Sequence, residues 1–313
     1  MYPKIAILLL LCSSFSLGSD LTIEKKLEAI RFELTTYYHK LLHHLDNTIE
    51  CDANCTHPER ASIRKNRIHI ITTLKSTKHQ PAALSLNLRG NIYLPKISKK
   101  FRFTFTRQSA DRLTNQQVDR ENENLIGDTR LRIGLQYLFV ITQKTEFATR
   151  LGIRLHKPLD LYQELSAKKS FHLYKDYRML ARASLHYYLT SLYLSRSLEL
   201  TVSKPLSDRF LIAQSNDWYA NTENRHERHL IHHLKLHHFY SPHNHLVYWI
   251  SYASIADDRC RYRQDWQAAS VSYIHYLTKW FYLQVIPRIV QRRTNRFRND
   301  YEASVSFGMI LGR

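Results

Sequence analysis

The chain has 313 residues, 46 Lys or Arg against 27 Asp or Glu, and a formal net charge of +19 with its 18 histidines neutral. Such an excess ordinarily marks a binder of nucleic acid or anionic surfaces, but these basic residues are spread through the chain rather than gathered on one arm or helix face, which argues against nucleic acid. No segment past residue 20 has the ~20 apolar residues of a membrane helix, so a helical membrane protein is excluded.

Residues 1–19 have the layout of a cleaved secretory signal: Lys4 is the charged start, Ile5 to Leu11 the apolar core, and Ser16, Gly18 and Ser19 the small-residue exit. Cys12 follows Leu11 rather than a small residue, which disfavours lipoprotein processing. Residues 20–62 then read as a small helical segment. Leu27, Ile30, Leu34, Tyr37, Tyr38, Leu41, Leu42 and Leu45 recur at steps of three and four, predicting a helix over 20–50. His39 and His43 sit one turn apart on it, two ligands lacking a third. In an exported protein Cys51 and Cys55 are expected to close a short disulfide loop, leaving Cys260 as a free thiol, and His57 does not complete a zinc set. No metal or other cofactor is expected.

From residue 63 onward the period changes from helical to two. In residues 83–94, Leu84, Leu86, Leu88, Ile92 and Leu94 take one face while Ser85, Asn87, Arg89, Asn91 and Tyr93 take the other. That alternation puts one side of a strand in oil and the other in water. Strands are predicted over 66–76 (the weakest), 83–94, 101–107, 129–139, 146–156, 161–172, 177–189, 192–203, 209–219, 227–240, 245–254, 265–277, 280–291 and 301–311. The polar run 108–128 is a long loop, Thr190-Ser191 and Thr278-Lys279 are tight turns, and Pro205 and Asp208 suit a turn between strands. Short turns at one end and longer loops at the other put the helical segment and the C-terminus on the short-turn, periplasmic side. Tyr93, Tyr137, Trp218, Tyr219, Tyr240, Trp249, Trp266, Tyr276, Trp280 and Tyr301 fall near strand ends, where amphipathic rings prefer the headgroup level.

The fold class is therefore all-β: a closed antiparallel transmembrane β-barrel of about fourteen strands, twelve to fourteen allowing for the weak ones, with a short N-terminal helical segment. Three segments organise the chain: a signal over 1–19, a periplasmic helical segment with the Cys51–Cys55 loop over 20–62, and the barrel over 63–313. The pattern from Ala83 onward resembles bacterial outer-membrane β-barrel proteins. Gly152-Ile153-Arg154-Leu155, Lys204-Pro205-Leu206 and the run from Trp280 to Pro287 are similar to an uncharacterised proteobacterial group of them. The resemblance implies outer-membrane lipid as surroundings and the barrel-insertion machinery as a partner, and it names no solute or activity.

Chemistry is concentrated on the inward face. Arg89, Arg102, Arg130, Arg132, Arg150, Arg154, Arg178, Arg182 and Arg288 all fall on the polar side of their strands, where guanidinium groups around water would favour anions. The competing expectation is an Arg–Glu network bracing the lumen, with Glu199 and Glu302 among the partners. His226, His229, His232, His233, His237, His238, His243 and His245 crowd residues 225–245; scattered exposed histidines are expected, with His243 and His245 the pair that a bent turn would bring to one metal. Ser184 and His186 share the inward face, but residues two apart on one strand rarely make a nucleophile–base contact, so no enzyme is expected. Arg196 interrupts the apolar face of Leu192, Leu194, Leu198, Leu200 and Val202, a placement tolerable only near a headgroup. The functional expectation is a passive outer-membrane barrel, either a small anion-preferring pore or a structural element. The alternatives are a barrel hydrolase and a soluble secreted basic β-protein that binds polyanions.

Overall fold

The computed structural model describes scattered positions between 25 and 36 and the chain from 67 to 311, apart from residues 79, 94–100, 108–130, 143, 156–158, 175, 223–227 and 257–260. Two compact units divide the chain, Met1–Thr48 and Ile49–Arg313. In the first, the described positions are helical, with Arg31 Nη1 3.5 Å from Glu28 Oε2 one turn away. No described helix is long and apolar enough to cross a membrane.

The second unit is a closed antiparallel barrel of fourteen strands. They are β1 Arg67–Thr77, β2 Gln80–Tyr93, β3 Phe101–Arg107, β4 Arg132–Ile141, β5 Thr145–Arg154, β6 Asp160–His172 and β7 Arg178–Tyr188. The second half comprises β8 Tyr193–Pro205, β9 Phe210–Asn221, β10 Arg228–Phe239, β11 Asn244–Ala256, β12 Tyr262–Tyr276, β13 Phe281–Arg292 and β14 Asn299–Leu311. Each pairs with its neighbour in sequence, and β1 closes the ring on β14 from Ile68↔Leu311 to Thr77↔Glu302. Every alternating segment of the sequence is a strand, including the two with the weakest pattern, at 67–77 and 160–172. β12 begins earlier than its periodicity indicates. A bulge at Ala253/Ser254 shifts the register there and lets Tyr262, Arg263 and Gln264 continue the ladder out of phase.

Cross-strand partners share a face, so the register separates inside from outside. Leu84, Leu151, Leu161, Leu165, Leu198 and Ile250 point outward and are exposed, whereas Asn87, Arg150, Glu164, Ser195, Ser272 and Ser306 point inward and are buried. The arrangement inverts that of a water-soluble barrel. An outer surface this rich in leucine removes the premise of the soluble polyanion binder. Connections at the end holding both barrel termini span 94–100, 142–144, 173–177, 206–209, 240–243 and 277–280. The opposite end carries the longest connection, 108–131, but also the short 78–79 and 189–192, so the expected division into short turns and long loops is only partial.

The aromatic residues need a correction. Tyr137, Trp218 and Tyr301 face outward, but Tyr219, Trp249 and Trp280 are buried at 5%, 4% and 2% exposure, and Trp266 packs with Trp249 and Ile286 inside the barrel. Strand-end position was legible in the sequence; the face was not, because one residue of register decides it.

Two of the scarce glycines are explained by aromatic neighbours on the adjacent strand. Gly308 lies opposite Tyr282 and Gly152 opposite Tyr162, and in each case the ring covers the glycine so closely that a Cβ would overlap it. Gly308→Val should therefore destabilise the barrel by about 1–3 kcal/mol through overpacking. The same change combined with Tyr282→Ala should cost less than the sum of the two single changes, measured as urea midpoints of the gel-mobility transition.

Candidate functional site

Hairpin geometry builds the lumen wall. Residues equidistant from a turn lie opposite each other, so β5 and β6 set Arg154 against Asp160 and Arg150 against Glu164. Arg150 Nη1 is 3.1 Å from Glu164 Oε2, and His186 Nε2 of β7 approaches the same oxygen at 3.3 Å. These three side chains are 5%, 2% and 1% exposed at residue level. Arg154 and Asp160 form an ion pair at 2.5 Å. Ser191 and the Thr190 amide also donate to Asp160, while the Arg154 guanidinium lies over the Tyr188 ring, 4.4 Å from its centroid, and donates to the Tyr193 hydroxyl.

Arg182 and Arg288 follow the same rule, and Arg102 and Arg292 find carboxylates off the direct ladder. Arg182 of β7 faces Glu199 of β8 at 3.4 Å, with Thr201 donating to the second carboxylate oxygen at 3.1 Å. Glu302 of β14 is surrounded by cations: Arg288 at 2.8 Å, Lys75 at 3.3 Å, and Arg292, which also reaches Asp300 at 3.1 Å. Arg102 of β3 meets Glu146 of β5 at 3.5 Å in a more exposed setting.

Of the expected inward arginines, Arg102, Arg150, Arg154, Arg182 and Arg288 are thus ion-paired on the lumen wall. Arg89 and Arg132 are also on inward positions, and Arg178 is inward and exposed near the end that holds the termini. Arg130, Cys51, Cys55, Cys260, His39 and His43 lie outside the described residues. Glu199 and Glu302 are partners, as the bracing reading anticipated. The carboxylates Glu164, Asp160 and Glu146 were missed; Glu164 and Asp160 are recoverable once the turn centre of the β5–β6 hairpin is known, whereas Glu146 reaches Arg102 across the intervening β4.

Ser184 and His186 do not meet as nucleophile and base. Ser184 Oγ is 2.6 Å from Ser197 Oγ, while His186 belongs to the Glu164 cluster. A different set does come together. His233 of β10 lies opposite Ser251 of β11 with Nδ1···Oγ at 2.6 Å, and its Nε2 is 3.6 Å from Asp217 Oδ2 of β9. The imidazole stacks near Trp249 and is enclosed at 1% exposure. His243 and His245 also stay apart: His245 Nε2 is 3.1 Å from His237 Nδ1, and His243 Nδ1 is 3.1 Å from the Tyr276 carbonyl. Among the described residues no three His, Cys, Asp or Glu side chains gather as a metal-ligand set.

On the outer face, the ladder confirms that Arg196 points toward lipid, between Leu185 and Ala220. It is the fourth residue of β8 and stands level with the penultimate residue of β9, beyond Trp218. That is the rim, where an outward Arg costs about 0–1 kcal/mol rather than the 2–4 of the midplane.

No protein-family model matches the chain, and no curated protein does. Among solved structures, a loop L8 deletion mutant of OmpT, an outer membrane protein of Vibrio cholerae, matches with TM-score 0.50 at 9% identity, covering 79% of this chain and 98% of that one. The outer membrane channel DcaP of Acinetobacter baumannii gives 0.47 at 9% identity over 79% and 96%, and the KdgM porin 0.37 at 9% over 77% and 98%. At these identities the likeness is one of fold, the closed antiparallel barrel.

Removing a partner from a buried ion group is expected to cost more than forming the group contributes. Glu302→Gln leaves Arg288, Lys75 and Arg292 without their shared carboxylate and should destabilise the barrel by about 3–5 kcal/mol. Glu146→Gln, at the half-buried Arg102 pair, should cost less, about 1 kcal/mol. Parallel urea titrations of the two variants check the ordering.

Proposed function

We propose that the protein is a passive barrel of the bacterial outer membrane, a narrow anion-preferring pore whose wall is braced by Arg–carboxylate pairs. In this reading the N-terminal segment and the barrel end that holds both termini face the periplasm, outer-membrane lipid surrounds the barrel, and the insertion machinery assembles it. The observation that carries the reading is the sign of the inward face. Lys75, Arg89, Arg102, Arg132, Arg150, Arg154, Lys168, Arg178, Arg182, Lys235, Arg288 and Arg292 outnumber Glu146, Asp160, Glu164, Glu199, Asp217, Asp300 and Glu302. Pairing neutralises part of the wall and holds the guanidiniums in place, and the excess leaves a positive field that admits small carboxylates or phosphates ahead of cations.

A second reading, an outer-membrane hydrolase, draws on the Ser251–His233–Asp217 contacts, which set hydroxyl, imidazole and carboxylate in the order acyl transfer uses, the hydroxyl hydrogen-bonded at 2.6 Å and the carboxylate at an ion-pair distance of 3.6 Å. Their near-complete enclosure places it behind the first. Labelling of the folded protein by a fluorophosphonate, abolished by Ser251→Ala, would establish it, and an unlabelled protein removes it.

For the pore, planar-bilayer recording of the purified protein in a salt gradient should give a steady current whose reversal potential has the anion-selective sign. The double change Arg89→Gln and Arg132→Gln should bring the anion-to-cation permeability ratio closer to one. Efficient insertion without current leaves the structural barrel as the function, and a cation-selective current overturns the reading.

A further inference from the structure

The outer wall over β4–β8 is not uniformly convex. Ala167 of β6 and Ala183 of β7 are ladder partners on the lipid-facing side, and their small side chains leave a cavity of about 480 Å³ between the larger residues beside them. Phe139 and Phe147 bound it toward β4 and β5, and Leu165 and Leu185 flank its floor. Its other end is closed by Arg196.

The slope of this groove follows from the register. The row through Arg196 runs to Leu185, Leu165, Thr149, Tyr137 and Phe101. Arg196 lies four residues into β8 from the 189–192 turn, at the end away from the barrel termini, whereas Phe101 opens β3 at the end that holds them. The groove therefore starts at one rim and descends into the apolar band as it crosses from β8 to β4. Four strand spacings give it a length of about 19 Å. Arg196 is exposed, and its cross-strand neighbours Leu185 and Ala220 offer no negative charge.

We propose that this groove binds lipid A, with a glucosamine phosphate on the Arg196 guanidinium and one acyl chain laid over Ala167 and Ala183 toward Phe147. The assignment rests on the outer-membrane reading above, because with the termini in the periplasm the Arg196 rim lies in the outer leaflet. Three features fit an acylated phosphate together: an outward cation at headgroup level, an apolar channel leading away from it, and a descent toward the bilayer centre. A guanidinium offers a planar pair of donors to phosphate, and its aliphatic stem lies along the apolar wall.

The test uses the full-length folded protein, exchanged into detergent with equal amounts of lipid A and phosphatidylglycerol and scored for retained lipid by native mass spectrometry. The wild type should retain lipid A in preference to phosphatidylglycerol. Arg196→Gln should lower that retention about fivefold, the worth of one cation near an anionic headgroup. Ala183→Phe, which fills the channel and leaves the cation, should lower it about tenfold through lost chain burial, while Ala303→Phe, a lipid-facing change on β14 outside the groove, should leave it unchanged. Equal retention by the wild type and both groove variants, or a wild-type preference for phosphatidylglycerol, overturns the proposal. Heat-modifiable migration and membrane fractionation of the same samples separate the two readings: a barrel that fractionates with the outer membrane but holds no lipid A removes only this inference.

Discussion

The β1–β14 ladder is the constraint from which the rest of the molecule follows. In hydrocarbon an unpaired backbone amide or carbonyl costs several kcal/mol, so a sheet can cross a bilayer only if its first and last strands find each other. Here they do so over ten consecutive partners, from Ile68↔Leu311 to Thr77↔Glu302. Closure then gives every strand two unlike environments. Outward positions become apolar because they meet acyl chains, and inward positions become polar because they do not.

That division creates a second problem, since many inward side chains are charged and almost wholly buried. Direct cross-strand pairing resolves it at Arg150–Glu164, Arg182–Glu199 and Arg288–Glu302. Such pairs are weak as sources of net stability because desolvation offsets much of their attraction. Their larger effect is on register. A slip of one residue is already forbidden by the apolar pattern, but a slip of two preserves every face. In β5–β6 a two-residue slip would set Arg150 against Tyr162 or Ser166 and leave Glu164 without its cation. Charge matching thus selects among registers that hydropathy alone treats as equal.

Two polar sites of the outer face are accommodated differently. His232 and Asn216, opposite each other on β10 and β9, satisfy one another with Nδ1···Oδ1 at 2.6 Å. Arg196 instead sits at the rim, where water and headgroups are within reach of its long side chain. The first compensates one polar group with another, and the second leaves a cation beside a channel floored by alanines.

By itself the sequence determined the number of strands, their order and the sign of the wall, because a period of two and a recurrent arginine are properties of neighbours along one chain. It also located Arg196 on the lipid side, since Leu194 and Leu198 flank it at the same parity. It did not tell which carboxylate each arginine meets, that His233 pairs with Ser251 rather than Ser184 with His186, or that Tyr219 and Trp249 turn inward. Those facts depend on register, a relation between residues on different strands that closure and hairpin geometry set. The groove over Ala167 and Ala183 is of the same kind: each alanine is unremarkable in its own strand, and only their adjacency across the β6–β7 ladder opens a channel in the wall.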